Sequence, residues 1–166
     1  MEPLSERSFT DLLAPLVQPA YRLACAMLHD AATAEDVVQE ASLIAWRKVN
    51  ALSDRSRLRA WFLGIVANEC RNARRRGWWT RVSIGLPPTL SIASSEDRAV
   101  RRADLRRALM QLSHEDRLVV VLYYYFDMPL EDIAAVAGTS VMAARNRLYR
   151  SIRRLRPGVA VEEALQ

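Results

Sequence analysis

The chain has 166 residues, 51% of them hydrophobic and 26% charged, which is a globular balance rather than that of a disordered chain. At about 150 residues per domain this makes one ordinary domain or two small ones. No apolar run approaches the roughly 18 residues of a membrane span, Glu2 and Glu6 argue against a secretory signal at the N-terminus, and two cysteines exclude a disulfide scaffold and fit a reducing cytoplasm. Basic residues outnumber acidic ones by 24 to 19, and all but Lys48 are arginine. That skew fits phosphate recognition, since the guanidinium fork donates two parallel hydrogen bonds, and fits a GC-rich genome equally well.

Residues 1–46 carry a net charge of −5. Within them Leu12, Leu16, Tyr21, Ala24 and Leu28 recur at helical spacing, interrupted by Pro15 and Pro19. Thr33 followed by Asp36 forms a capping-box pattern, and a helix with Val37, Val38, Ala41, Ile44 and Ala45 on one side is predicted to follow. Asn50 to Arg57 is polar and turn-like. A third helix is predicted from Leu58 to Arg76, with Trp61, Phe62, Ile65, Val66 and Glu69 ahead of its basic end and Gly77 as its stop.

Residues 47–81 carry +8. Trp61 and Trp78-Trp79 flank the basic run Arg71, Arg74, Arg75, Arg76, and aromatic faces beside arginines suit unstacked single-stranded bases. Trp61 also fits a core position. Residues 81–97, with Pro87-Pro88, Gly85 and several serines, read as a flexible linker and domain boundary.

The pattern restarts near Glu96 with a helix to Leu112. Ser113 and Asp116 form a second capping box before Leu118, Val119, Val121, Leu122 and Tyr125. Asp127-Met128-Pro129 turns the chain, Leu130 to Ala137 is a short helix, Gly138-Thr139-Ser140 is a tight turn with an N-cap, and Val141 to Arg156 is the last helix. A short helix, a Gly-containing turn and an arginine-studded helix are the pattern of a helix-turn-helix. Leu148, Ile152 and Leu155, joined by Ala144, mark its buried face. Ser140, Val141, Ala143 and Arg145 would face a major groove, and Arg150, Arg153 and Arg154 the phosphates. An ordinary helical hairpin with a charged outer face remains open at this point. The fold class expected is all-α, two small helical domains joined by a linker.

The segments AEDVVQEASLIAWRKV (Ala34 to Val49) and SRLRAWFLGIVANECRNARRR (Ser56 to Arg76) resemble region 2 of extracytoplasmic-function (ECF) bacterial sigma factors, of the sigma-70 family. Leu112 to Arg156 resembles their region 4. The resemblance covers roughly residues 9–156, and the order of the pieces is more specific than any one of them. It implies domains at 1–80 (region 2), 81–97 (linker) and 98–156 (region 4), with a short tail at 157–166. It implies a protein that binds core RNA polymerase, at the clamp helices of the largest subunit and at the flap region, and directs transcription from chosen promoters.

By position, the resemblance puts Asp36, Gln39, Glu40, Trp46 and Arg47 at the polymerase contact; Asp36 also suits a helix cap. It puts Asn50, Ser53, Asp54, Arg55, Ser56 and Arg57, with Trp61, Asn68, Arg71, Asn72, Arg75 and Arg76, at the melted minus-ten element, where a non-template base flips into a pocket of the loop. Asn68 and Asn72 would read base edges. It puts Ser140, Val141, Ala143, Ala144, Arg145, Arg147 and Arg150 at the duplex minus-thirty-five element. An anti-sigma factor is an implied partner; cofactors, metal and membrane insertion are not expected, and the location implied is cytoplasmic.

The chain departs from the family pattern in several places. Met142 to Arg147 (Met-Ala-Ala-Arg-Asn-Arg) replaces a common Gly-Thr-Val-Lys-Ser-Arg, so no promoter sequence carries over. Asp127 stands where Gly is common, and Ser42 where a bulky apolar residue is usual. The few residues beyond 156 are too few to form a third domain.

The competing readings are a stand-alone helix-turn-helix regulator and a pure protein-interaction module. The former would want a dimerisation helix; the latter leaves the basic run unexplained. No nucleotide loop or Ser/His/Asp set supports an enzyme. Cys25, His29, Cys70 and His114 would have to converge to hold zinc, so buried cysteines and surface histidines are expected instead. A redox link between Cys25 and Cys70 is a weak reading.

Overall fold

The computed structural model describes residues 6–76 and 104–155. The expected linker, the Gly77 stop, Trp78-Trp79, the helix start near Glu96 and the tail beyond 156 lie outside these residues. The chain divides into two compact units, Met1–Pro87 and Pro88–Gln166. Every described regular element is helical, as the all-α reading requires.

The first unit is a bundle of three mutually packed helices, α1 (Glu6–Leu28), α2 (Ala31–Lys48) and α3 (Leu58–Arg75). Leu23, Met27, Phe62, Leu63, Val66 and Cys70 fill its interior. The prolines do not interrupt α1, which runs through both Pro15 and Pro19. Proline removes an amide donor and crowds the preceding turn, so burial of the α1 stripe, including Leu13, Ala20 and Leu23, holds the helix together against this local cost. α1 stops at His29, whose backbone is left-handed at φ 58° and whose N–H donates to the Cys25 carbonyl at 2.9 Å.

The second helix starts earlier than its capping pattern suggested. Asp30, not Thr33, is the N-cap: its carboxylate accepts from the Thr33 N–H at 2.9 Å and from the Thr33 hydroxyl. Asp36 is therefore inside the helix and exposed, free of any capping duty. Ser42 satisfies its hydroxyl by donating to the Val38 carbonyl at 2.7 Å, so the polar residue costs the bundle little.

The second unit has a helical segment α4 (residues 104–110), then α5 (His114–Tyr124), α6 (Leu130–Ala137) and α7 (Val141–Leu155), the last three packing on one another. Leu118, Val119, Leu122, Ile133, Val136, Ala144, Leu148 and Leu155 form the core. Ser113 caps α5 by accepting from the Asp116 N–H at 3.2 Å. Arg117 is buried beside it and caps the end of the preceding segment: its Nε donates to the Leu109 carbonyl at 2.9 Å, and Nη2 reaches the carbonyls of Met110 and Leu112, both at 3.3 Å. Tyr125 lies just past α5 and is 43% exposed, so it is not part of the expected apolar stripe. Asp127 takes the left-handed conformation, φ 49°, that glycine commonly supplies.

Gly138 ends α6 at φ 66°. Its N–H donates to the Ala135 carbonyl, and the Thr139 N–H to that of Ala134 at 2.9 Å, the paired bonds of a Schellman stop. Ser140 then caps α7, its hydroxyl accepting from the Ala143 N–H at 3.1 Å. Stop and start within three residues set the sharp turn between α6 and α7.

Both histidines are buried, against the expectation of surface positions. No group of three potential metal ligands forms among the described residues. Both cysteines are free and buried. Burial pushes the Cys70 thiol up to about 12 and raises Cys25 as well. No described helix is long and apolar enough to cross a membrane.

Candidate nucleic-acid interface

Three surfaces carry the residues singled out in the sequence. The first is the outer face of α2. At about 100° per residue, Asp36, Gln39, Glu40, Trp46 and Arg47 share an arc of roughly 120°, and all five are exposed. Leu43 lies in the middle of this arc and is 52% exposed, an apolar residue the sequence reading passed over. Its three- and four-residue spacing from Gln39, Glu40 and Arg47, and its seven-residue spacing from Asp36, was the signal that would have found it. Trp46 is held by an edge-to-face contact with Phe9 of α1, ring centres 5.1 Å apart. An exposed acidic arc with a central leucine and a fixed indole edge suits a protein partner with basic and apolar contact points.

The second surface is the α2–α3 connection and the outer face of α3. Two short 3-10 turns, Val49–Ala51 and Arg55–Arg57, shape the connection, anchored by buried Val49. Asp54 caps the second turn, accepting from the Ser56 hydroxyl at 2.7 Å and the Ser56 N–H at 2.9 Å. These bonds, the hydroxyl first, hold the Asp54 carboxyl below its usual range. Asn50, Ser53, Arg55, Ser56 and Arg57 are exposed around this cap.

On α3, Trp61, Asn68, Arg71, Asn72 and Arg75 fall on one arc, with Arg76 just beyond it. Trp61 is half-buried. Asn68 is exposed, its amide accessible from outside the helix. Asn72 is not: its amide donates to Glu69 Oε1 at 2.9 Å and accepts from Arg75 Nη2. Glu69 is itself buried. Asn72 thus links a buried carboxylate to Arg75, and its amide is engaged within the helix rather than left open like that of Asn68.

The third surface is α7. Ala144 is completely buried against the core with Leu148, Ser151 and Leu155. It therefore contacts no DNA, contrary to its place among the expected contacts; its small side chain lets α7 sit close to its neighbours. Ile152 is only half-buried, and Ser151 takes the core position instead, its hydroxyl donating to the Arg147 carbonyl at 2.8 Å. Arg147 is turned toward α5, with Nη1 3.3 Å from Asp116 Oδ1. Arg154 approaches the other oxygen of that carboxylate at 3.8 Å. Ser140, Arg145 and Arg150 are exposed, and Val141 and Ala143 half-buried. Three further residues face outward that were not among the expected contacts: Met142 at 64% exposure, Asn146, and Tyr149 at 60%.

Comparison with known proteins identifies the family of the chain that carries these surfaces. Residues 12–80 match the model of Sigma-70 region 2, and residues 102–155 that of Sigma-70 region 4. The ECF RNA polymerase sigma factor SigL of Mycobacterium tuberculosis is 34% identical over 141 residues, covering 82% of this chain and 80% of its own. The chain belongs to the ECF sigma factor family. A second relative, the RNA polymerase sigma factor CarQ of Myxococcus xanthus, is 30% identical over 156 residues, covering 92% of this chain and 89% of its own. Among solved structures, the sigma factor RpoE in complex with the anti-sigma factor NepR from Bartonella quintana matches at TM-score 0.73 and 26% identity, covering 91% of this chain and 96% of that one. CnrH, solved with the cytosolic domain of CnrY, matches at TM-score 0.69 and 25% identity, covering 92% and 88%. As a member of the family, this sigma factor directs promoter-specific transcription initiation with core RNA polymerase, and the stand-alone regulator loses its ground.

Proposed function

We propose that the two units divide the work of initiation. The first unit, through residues 1–80, docks on the polymerase with the α2 arc of Asp36, Gln39, Glu40, Leu43, Trp46 and Arg47. The same unit captures the melted minus-ten strand with the Asp54-capped loop and with Trp61, Asn68, Arg71 and Arg75. The second unit, through residues 98–156, reads the duplex minus-thirty-five element with α7. The protein works in the cytoplasm, where its polymerase is, and performs no bond chemistry of its own.

The observation that carries this division is the pairing on α3 of an exposed Asn68 with an arginine, Arg75, pre-aimed through Asn72 and Glu69. An oriented guanidinium loses little freedom on meeting a phosphate, and the free amide beside it is left for a base edge. The exposed leucine and indole on α2 support a docking role, because an apolar centre within a charged rim is the anatomy of a protein interface. They also suit control by an anti-sigma factor that covers them, and the similar RpoE was solved in complex with the anti-sigma factor NepR.

Transcription with purified core polymerase, with and without the protein, on genomic promoter fragments of its own host tests the reading. Start sites that depend on the protein are expected, and they share upstream sequences. Duplex binding without polymerase and no new starts would favour the stand-alone regulator instead.

A further inference from the structure

We infer that Met142 and Asn146 are the base-reading pair of α7, Asn146 selecting an adenine and Met142 the methyl group of a thymine within two base-pair steps of it. This rests on the reading of the second unit as a duplex binder. The buried face of α7 is fixed by Ala144, Leu148, Ser151 and Leu155. At about 100° per residue the direction opposite that face passes between Met142 and Asn146. Arg145 and Arg150 lie to either side of this line, where they suit the phosphates of the two strands. Arg147 is occupied by Asp116.

What points into a groove from the N-terminal half of α7 is therefore a thioether and an amide. Met142 is the most exposed large hydrophobic residue among those described, at 64%. Asn146 is exposed, and its side-chain amide has no hydrogen-bond partner among the described residues. An asparagine amide matches adenine N6 and N7 with two hydrogen bonds, and an apolar group in the major groove is satisfied by the thymine methyl. Four residues of helix rise about 6 Å, less than two steps of duplex at about 3.4 Å each. The arginines around the pair supply attraction to the backbone without sequence preference.

The test is initiation by holoenzyme, made from the full chain and its host's core polymerase, on a promoter library with a randomised upstream element. The wild type is expected to prefer adenine at one position by about tenfold, with a thymine preferred within two steps. Asn146→Ala should reduce that adenine preference to less than about twofold and leave the other positions unchanged. Met142→Ser should erase the thymine preference; uracil in place of that thymine should weaken wild-type initiation and leave Met142→Ser unaffected. Both substitutions are at exposed sites, and an unchanged thermal melt verifies folding. Asn146→Ala with wild-type preferences, or with a uniform loss at every position, overturns the inference. A wild type with no upstream preference at all overturns the duplex-reading role on which it rests.

Discussion

The Nη1 atom of Arg147 lies 3.3 Å from Oδ1 of Asp116, joining α7 to the first turn of α5 across 31 positions of sequence. Arg147 is 30% exposed and Asp116 12%, so the pair is partly shielded from solvent. A cation held this way spends its charge inside the protein. Arg147→Ala is expected to leave the salt dependence of upstream-element binding nearly unchanged, whereas Arg150→Ala should lower the slope by about one. Binding measured across a salt series decides between them; equal slopes for the two variants would return Arg147 to the DNA. Asp116→Ala should cost about 1–2 kcal/mol in chemical denaturation, between the values for exposed and fully buried pairs.

On α3 the two asparagines are expected to separate. Asn68→Ala should weaken discrimination among melted minus-ten sequences without affecting thermal stability, since its side chain is exposed. Asn72→Ala should remove the amide that links buried Glu69 to Arg75, reducing strand opening at all promoters and lowering stability by about 1–2 kcal/mol. Permanganate reactivity of the opened strand, read beside thermal melts, distinguishes the two. Equal effects of both variants on base preference would restore Asn72 as a reader.

Both cysteines should resist modification in the native protein. Cys70 is pushed up to about 12 by burial, so at pH 8 about one in ten thousand is the reactive thiolate. Alkylation by iodoacetamide should be slow until denaturant is added, and mild oxidant should leave transcription unchanged. The sign of the pH effect follows. A thiol raised from 9.0 in the folded state contributes stability that is whole below pH 9 and is lost as pH rises toward 12. Fast labelling of Cys70 at pH 8 would reopen a redox role.

Gly138 has φ 66°, yet a Cβ placed there meets nothing within 4 Å. Gly138→Ala should therefore cost only the backbone strain of the left-handed region, about 1 kcal/mol, and Gly138→Asn less. A loss of several kcal/mol in equilibrium unfolding would mean that the turn cannot hold its geometry without glycine.

Sequence alone made much of this legible, and the failures have physical causes. The α6–α7 turn was readable because Gly138 and Ser140 are local signals whose bonds close within a few residues. The α2 start was misplaced because Asp30 and Thr33 are both good caps, and only the chain leaving α1 at His29 decides between them. Pro15 and Pro19 looked like breaks because the burial that overrides them is tertiary. The internal partners of Arg147 and Asn72, Asp116 and Glu69, were not legible because they become visible only when a carboxylate is seen to be buried. Ala144 was counted both as buried and as a contact, and packing admits only the first.

Arg117 sets a lower limit on how far the second unit can be trimmed. Its guanidinium is buried and neutral carbonyls of Leu109, Met110 and Leu112 are among its acceptors. A fragment beginning at Ser113 would keep the helix-turn-helix whole but lose all three of these acceptors, and is expected to be less stable by about 1–3 kcal/mol. The residues just ahead of α5, remote in sequence from α7, are in this sense part of what holds the second unit's fold together.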